Sequence, residues 1–331
     1  MLESVAGTGT DALDTALADA AAAQAEARVL SEGCGLLDRS ERGKLALSGP
    51  GAIEFLNGQV TNELEGLMPG EGRYAAFLTH KGKMLGDLRI VAVEGELLLD
   101  TERSALQELF DMIRRFKVGY EVELRKRTLE RGLLSLIGPT AGELANAEDL
   151  PSDEHANAAV EIDGVTALAV RTDVGVDLLC GAADIERLRT ALTARGASVV
   201  SEQAAECVRV EHGRPRYGLD MDTSTIPQEA GLNERAVSFT KGCYVGQETV
   251  ARLYYKGKPN RHLRGLRLSA PVTTGEELRV GERSLGRVGS VALSPTLGTI
   301  ALALVRREAS PGDTIDVGER GATAQVVELP F

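Results

Sequence analysis

The feature that most constrains the fold is a change of sequence pattern at residues 257–260 (Gly-Lys-Pro-Asn). Before this segment, apolar stretches with strand-like and helix-like spacing alternate along the chain. After it, short apolar runs are separated by glycines, which is typical of a small β-barrel. The sequence therefore predicts an α+β protein in three parts: an alanine-rich N-terminal helix over 1–30, an α+β region over 31–259 and a barrel over 260–331.

The α+β region contains two cycles of strands and helices, which predicts two units packed together. In the first cycle, a strand, a helix, a three-stranded meander, a helix and a strand are expected at 44–48, 50–56, 72–100, 102–117 and 122–124. In the second cycle, strands are expected at 133–137, 165–171 and 176–180, helices after Gly138-Pro139 and over 185–192, and a polar loop at 148–158. No exact sequence repeat accompanies the two cycles.

Composition and charge favour a soluble protein from a reducing compartment. The chain has 331 residues and a net charge of -12, which opposes non-specific binding to duplex DNA. Its four cysteines are scattered and it has only four histidines, so neither a disulfide framework nor a metal site is expected. No apolar stretch approaches the ~18 residues that span a bilayer, and the acidic N-terminus is unlike a signal peptide. We expect a cytoplasmic protein that does not contact membranes.

The octet Lys241-Gly-Cys-Tyr-Val-Gly-Gln-Glu248 places a thiol between a lysine and an aromatic ring. Its two glycines leave the thiol approachable, and a nearby cation favours the thiolate. Cys243 is therefore a candidate nucleophile, redox-sensing thiol or transient iron ligand, and the alternative is a partly buried thiol in a turn. Because iron–sulfur clusters usually take four protein ligands, Cys243 would need a partner chain to hold one.

A run of cations interrupts this acidic chain. Between Thr249 and Gly275 there is no acid, and six basic residues occur: Arg252, Lys256, Lys258, Arg261, Arg264 and Arg267. The run is either a solvated turn that leads into a strand or an anion site, for a polycarboxylate tail or a shallow RNA contact.

Two single carboxylates are further candidates. Asp87 lies on the second strand of the predicted meander, and Glu211 ends a predicted helix. Both are either ordinary surface acids or pocket carboxylates, which could bind a pteridine or guanidine edge through paired hydrogen bonds. No P-loop, dinucleotide-binding or H-E-x-x-H motif occurs, so nucleotide and zinc-hydrolase functions have no support.

The octet, continued by Thr249-Val-Ala-Arg252, resembles the signature of the YgfZ family of folate-binding proteins. That family belongs to the superfamily of the glycine-cleavage T-protein, an aminomethyltransferase. Blocks that resemble the superfamily occur along most of the chain, outside the first 30 residues: Phe55-Leu-Asn-Gly-Gln-Val-Thr-Asn62, His80-Lys-Gly-Lys-Met84, Arg209-Val-Glu-His-Gly-Arg-Pro215 and Ser294-Pro-Thr-Leu-Gly298.

The resemblance implies two ferredoxin-like α+β units and a small barrel in a ring-like arrangement, with tetrahydrofolate or a one-carbon derivative bound near the centre. It implies Lys241, Cys243 and Tyr244 as the signature site. Folate binding would involve Glu211, at the place of the superfamily's pterin-gripping glutamate, together with Tyr244, Gln247 and Arg252 of the extended motif. The cation run would hold the glutamate tail of folate. The implied role is support of iron–sulfur client proteins, including tRNA-modifying enzymes.

Asp87 keeps a second function open. It lies where the T-protein branch has an acid linked to aminomethyl chemistry, so a tetrahydrofolate-dependent aminomethyltransferase with Asp87 as a catalytic residue is the alternative. Against this, the octet thiol has no counterpart in the T-protein, and Arg171-Thr-Asp-Val-Gly175 stands in place of that branch's Gly-aromatic-Thr-Gly-Glu block. A third reading is an RNA-contacting module at residues 252–267.

Overall fold

The computed structural model describes residues 23–331. Helix α1 covers residues 23–32 of this range, and strand β1 (Gly35–Asp38) follows it. Most of the predicted N-terminal helix falls on residues 1–22, which lie outside the described residues. No helix within 23–331 has the length and apolarity to cross a bilayer.

Unit 1 corresponds to the first predicted cycle. Its elements are β2 (Gly43–Ser48), α2 (Ala52–Asn57), β3 (Gly72–Leu78), β4 (Met84–Val93), β5 (Glu96–Thr101), α3 (Leu106–Phe116) and β6 (Glu123–Lys126). The strands form an antiparallel sheet in the order β3-β4-β5-β2-β6. Its core contains Phe55 of α2 and Leu109 of α3 together with Leu88 and Ile90 of β4. Because side chains alternate along a strand, the odd-numbered Asp87 on β4 points to the other face of the sheet.

Unit 2 repeats the same succession of elements. They are β7 (Arg131–Ile137), α4 (Ala141–Leu144), β8 (Asn157–Ile162), β9 (Val165–Thr172), β10 (Gly175–Gly181), a 3-10 turn (Ala182–Asp184), α5 (Ile185–Ala194) and β11 (Ser198–Val199). The sheet order β8-β9-β10-β7-β1-β11 matches that of unit 1, except that β1 is inserted before the last strand. The predicted pair of related α+β units is confirmed.

The two sheets pack against each other through the faces that their helices leave free. A buried cluster joins Ala46, Val91 and Leu98 of unit 1 to three apolar residues of unit 2: Leu133, Val170 and Leu179. Beside this cluster the interface becomes polar, because Arg89 of β4 reaches Asp177 of β10 with a 2.5 Å ion pair. The odd-numbered face of β4 therefore meets the second unit with a charged group.

A connecting segment and the barrel complete the chain. The segment contains α6 (Glu202–Glu211), α7 (Asn233–Ala236) and α8 (Gln247–Lys256). The barrel strands are β12 (Arg261–Leu268), β13 (Glu277–Val280), β14 (Arg283–Ser294), β15 (Gly298–Arg306), β16 (Thr314–Val317) and β17 (Ala322–Val327). They close in the order β12-β15-β14-β13-β16-β17, which confirms the predicted small barrel.

The sequence analysis did not predict six elements of the described residues: β1, β8, β11, β13, α7 and α8. Strand β8 begins inside the segment predicted as a loop. As an edge strand it leaves Ala158, Ala159 and Glu161 exposed, so its sequence lacks the apolar alternation that marks a strand. Helix α8 buries only Val250, so its sequence shows no clear apolar stripe. Strand β13 has four residues, too few for a periodic signal.

Candidate functional site

A polar cavity lies between the two units and helix α6. It has a volume of about 190 Å³, and its walls include Tyr74 and Asp87 of unit 1, Ser135 and His155 of unit 2, and Arg235 of α7. We call it the Asp87 cavity. It lies beside the apolar cluster between the two sheets, where the contact between them becomes charged.

The Asp87 carboxyl is held in this cavity by one hydrogen bond. Its Oδ2 accepts from the Tyr74 hydroxyl at 2.5 Å, whereas its Oδ1 is buried and has no partner among the described residues. Burial raises the pKa of Asp87 to about 6, although the Tyr74 hydrogen bond acts in the opposite direction. A carboxyl group with this pKa exchanges protons readily near neutral pH, which suits acid–base catalysis.

Tyr74 is fixed in turn by a cation from the connecting segment. The guanidinium of Arg235 lies 5.0 Å from the centre of the Tyr74 ring. Its Nε also donates to Glu154 Oε2 at 3.2 Å, which ties α7 to unit 2. Burial, and then the neighbouring Asp87, raise the pKa of Tyr74 well above its usual value, so its hydroxyl remains a donor.

The guanidinium groups around the cavity are paired with carboxylates other than Asp87. Arg89 contacts Asp100 at 2.6 Å and Asp177 at 2.5 Å, and Arg42 contacts Asp100 at 3.0 Å. Despite the effect of burial, these two arginines hold the pKa of Asp100 well below its usual value. Among the ion pairs of residues 23–331, none includes Asp87. Asp87 is therefore the acid that remains available to a ligand.

Several buried polar atoms along the cavity have no hydrogen-bond partner within the described part of the chain. They are Asp87 Oδ1, Ser135 Oγ, Arg39 Nε and both ring nitrogens of His155. Unsatisfied buried polar groups are uncommon, and each costs about 1–3 kcal/mol. Together they offer acceptors and donors to a small polar ligand, which fits the pterin ring that the resemblance implies.

The structure does not bring Glu211 to this cavity, and its predicted pterin contact stays a prediction. Glu211 lies one helical turn after Cys207 on α6, and its Oε1 is 3.6 Å from the Cys207 thiol. On the other face of the helix, Glu206 and Arg209 line the Asp87 cavity and pair at 2.7 Å. The sequence correctly predicted that α6 ends at Glu211, but it did not predict which face of the helix lines the cavity.

The octet folds into a separate loop, residues 241–248, which we call the Cys243 loop. Its Lys241 is buried, and its Nζ donates to the carbonyl oxygens of Asn57, Val60 and Asn62 at 2.7, 3.0 and 2.6 Å. Burial lowers the pKa of Lys241 to about 8. The ammonium thus fastens the loop to the segment after α2, and its three acceptors are backbone groups.

The other octet residues also hold the loop. Tyr244 is buried, with the Lys241 ammonium 5.3 Å from its ring centre. Gly246 has a φ of 85°, and a Cβ there would lie 2.5 Å from the Thr79 carbonyl oxygen, so only glycine fits. Gln247 makes a long contact of 3.4 Å from its Nε2 to the Gly242 carbonyl. These contacts hold the loop in place, and the ligand contacts expected of Tyr244 and Gln247 stay predictions.

Cys243 is the exposed cysteine of this chain, and Cys34, Cys180 and Cys207 are buried. Its predicted accessibility is therefore confirmed. The octet residues do not line the Asp87 cavity, however, and neither does the exposed Arg252 of α8. A pterin in the Asp87 cavity would therefore lie apart from the Cys243 thiol, and the expectation that the two share one cavity stays a prediction.

The cation run is partly neutralised in the fold. Arg261 pairs with Glu229 at 2.8 Å, and Arg264 pairs with Glu328 at 2.7 Å. Both acids come from outside the run, so the sequence did not reveal them. Arg252, Lys256 and Lys258 remain exposed, which leaves a small basic surface outside the Asp87 cavity.

Comparison with known proteins identifies the family. Residues 15–241 match the GCVT N-terminal domain, and residues 261–331 match the glycine cleavage T-protein C-terminal barrel domain. The chain belongs to the glycine cleavage T-protein family. These matches cover both α+β units and the whole barrel. Membership of the YgfZ branch, predicted from the octet, stays a prediction.

Individual members of the T-protein family agree with this assignment. The aminomethyltransferase of Streptomyces avermitilis is 32% identical, over 90% of this chain and 86% of its own. The aminomethyltransferase of Rubrobacter xylanophilus is 30% identical, over 93% and 86%. The crystal structure of glycine cleavage system aminomethyltransferase T from Bartonella henselae superposes with a TM-score of 0.83 at 24% identity, over 93% of this chain and 89% of that one. The last similarity establishes the fold.

Some cavity residues had a signal in the sequence and others had none. In the β3–β4 pairing, Ala76 lies opposite Asp87, so Tyr74 is its diagonal neighbour on the same face. The predicted meander could have revealed this pair. His155 and Arg235 come from a loop and a short helix far along the chain, and no local pattern marks them.

Proposed function

We propose that this protein binds tetrahydrofolate in the Asp87 cavity and transfers an aminomethyl-derived one-carbon unit to it. The observation that best supports this is the buried Asp87 carboxyl, which has a free Oδ1, a pKa of about 6 and no ion pair within the described residues. The relatives named aminomethyltransferase span most of the chain and support the same reaction class.

Asp87 would act as the acid–base group. Bound tetrahydrofolate supplies the two nitrogens that take up the one-carbon unit and release two protons, one to the carrier thiol and one to the departing ammonia. Above pH 6 the Asp87 carboxylate can accept a proton on Oδ1 while Tyr74 holds Oδ2 at 2.5 Å. The fixed Oδ2 leaves only one oxygen free, which orients the proton transfer.

The neighbouring residues would keep water and competing cations away from this carboxyl. Tyr74 covers one oxygen, and Arg235 is held over the Tyr74 ring by Glu154. The charges of Glu102 and Arg42 act on the pKa of Asp87 in opposite directions. Arg42 and Arg89 are paired with other carboxylates, so neither neutralises Asp87 directly. These contacts favour a carboxyl group that can change its protonation state during the reaction.

The test is an assay of methylene-tetrahydrofolate formation from tetrahydrofolate and an aminomethylated lipoyl carrier protein. We expect Asp87→Asn to lower turnover by about 10²–10⁴-fold, the usual contribution of an acid–base group. Its calorimetric affinity for tetrahydrofolate should change far less, since the amide keeps the Tyr74 contact. Asp316→Asn, at an exposed position of the barrel strand β16, is the matched control.

Two results would contradict the proposal. Absence of product with the unaltered protein would exclude aminomethyl transfer. Equal turnover by the unaltered protein and Asp87→Asn would leave the transfer in place and remove Asp87 from it.

The exposed thiol favours a second candidate function, namely support of iron–sulfur client proteins such as tRNA-modifying enzymes. Cys243 is accessible whereas the other three cysteines are buried, so a client protein or its metal could reach it directly. We expect Cys243→Ala to lower the activity of cluster-dependent tRNA-modifying enzymes in cells while tetrahydrofolate affinity stays unchanged. Cys207→Ala, which removes a buried thiol, is the control. Unchanged tRNA modification with Cys243→Ala would exclude this function.

A further inference from the structure

His155 is a buried group that the proposed chemistry does not use. It lies between α4 and β8, is 4% exposed and lines the Asp87 cavity. Neither of its ring nitrogens has a hydrogen-bond partner within residues 23–331. Glu154 Oε1 is 3.7 Å from Nε2, which is too far for a hydrogen bond.

The backbone holds His155 in this position at some energetic cost. Its φ of 71° lies in the left-handed region, where histidine and asparagine are tolerated better than most residues. Its N–H donates to the Arg171 carbonyl at 2.9 Å. On the other side, a Cβ at Gly72 would lie 2.6 Å from the His155 Cβ, so the two units meet here in direct contact. The ring is therefore fixed beside the cavity.

The surroundings of His155 favour an uncharged ring. Burial, and then the nearby Arg89, lower the pKa of His155 to about 4. Glu154 is engaged by Arg235, and Asp177 is engaged by Arg89, so neither carboxylate is free to stabilise an imidazolium. A neutral imidazole has one N–H donor and one acceptor nitrogen.

We infer that His155 is a specificity-determining residue, whose neutral imidazole forms hydrogen bonds with the ring system of the bound folate. The inference rests on the proposed function, because it takes folate as the ligand of the Asp87 cavity. Unit 2 supplies this contact, and the unpartnered hydroxyl of Ser135 on β7 belongs to the same wall. Unit 1 would thus contribute the acid–base group, Asp87, and unit 2 would contribute the groups that recognise the folate ring.

Two substitutions separate recognition from packing. His155→Leu removes both polar atoms, and His155→Asn keeps a donor and an acceptor at a backbone conformation that asparagine tolerates. With tetrahydrofolate as the probe in calorimetry, we expect His155→Leu to weaken binding by about tenfold or more and His155→Asn to weaken it less. The urea midpoint of His155→Leu should stay close to that of the unaltered protein, because the removal of unsatisfied buried groups offsets the lower tolerance of leucine for the left-handed backbone.

Nitrogen-15 NMR of the imidazole provides a readout that does not depend on turnover. We expect tetrahydrofolate to shift the His155 ring nitrogens and to select one tautomer. Equal affinity of the unaltered protein and His155→Leu, or ring signals that do not respond to tetrahydrofolate, would overturn the inference. A lower urea midpoint for His155→Leu without ring shifts would assign a packing role and also overturn it. Failure of the unaltered protein to bind tetrahydrofolate would instead refute the proposed function.

Discussion

The Asp87 cavity and the Cys243 loop both involve unit 1, but they differ in which groups are left free. In the cavity, the arginines are paired and a carboxyl oxygen, a hydroxyl and an imidazole remain unsatisfied. In the loop, the charged Lys241 is satisfied by three carbonyl oxygens and the thiol of Cys243 faces solvent. The cavity thus has the properties of a small-ligand site, and the loop has those of a surface that another protein can reach.

The comparison shows that a prominent motif and a cavity with unsatisfied polar groups need not coincide. The octet is rich in residues that suggest chemistry, yet Lys241, Tyr244 and Gly246 all make contacts that hold the loop in place. The polar groups of the cavity come from single positions scattered along the chain. A lysine next to a cysteine in sequence is therefore weak support for an activated thiol.

The largest difference that we expect between the two regions is in thiol reactivity. Cys243 should react with iodoacetamide at pH 8 at least about a hundredfold faster than the buried Cys34, Cys180 and Cys207, whose pKa values burial raises to about 11 or 12. Mass spectrometry of tryptic peptides at timed intervals measures all four rates. Similar rates for the four thiols in the native protein would contradict the exposed position of Cys243, and unfolding in urea should make them similar.

The second expected effect is a loss of stability when the fastening of the loop is removed. Lys241→Met leaves three buried carbonyl oxygens without their donor, so the free energy of unfolding should fall by about 2–4 kcal/mol. Urea denaturation measures the change. Lys256→Met, at an exposed position of α8, is the matched control and should stay within about 0.5 kcal/mol. Equal stability of both variants would mean that the Lys241 ammonium does not hold the loop and is free to interact with the Cys243 thiol.

The smallest expected effect concerns the stability cost of the buried Asp87. Its pKa rises from 3.8 to about 6 on folding, so the folded state binds the proton more tightly and stability falls as pH rises between these values. Asp87→Asn removes this dependence. Relative to the unaltered protein, the variant should gain about 2–3 kcal/mol between pH 3.5 and pH 7.

Urea denaturation over this pH range tests the sign, with Asp316→Asn as the control that should show no such gain. A constant difference between Asp87→Asn and the unaltered protein would mean that Asp87 titrates normally and is no better placed for acid–base chemistry than a surface acid.

The sequence predicted the parts of the fold that depend on local periodicity. The two cycles, the meander and the barrel follow from apolar spacing and from glycines at turns. The placement of Asp87 on a strand and the accessibility of Cys243 also followed from their immediate neighbours. Strand β8 and helix α8 were missed because tertiary contacts, and not apolar periodicity, stabilise them.

The composition of the site could not be predicted to the same extent. Glu211 and Glu206 lie on one helix, and only packing against the barrel decides that Glu206 faces the cavity. His155 enters the cavity through a left-handed backbone conformation that no sequence pattern announces. The partners of Lys241 are backbone carbonyls about 180 residues earlier in the chain. Because every residue has a backbone carbonyl, the sequence does not show which of them accept from Lys241.

A crystal structure of the protein with tetrahydrofolate tests the central claim most directly. We predict that the pterin ring lies between the two sheets, with a nitrogen within hydrogen-bonding distance of Asp87 Oδ1 and the ring in contact with His155. A pterin bound against the Cys243 loop, with the Asp87 cavity unchanged, would contradict it.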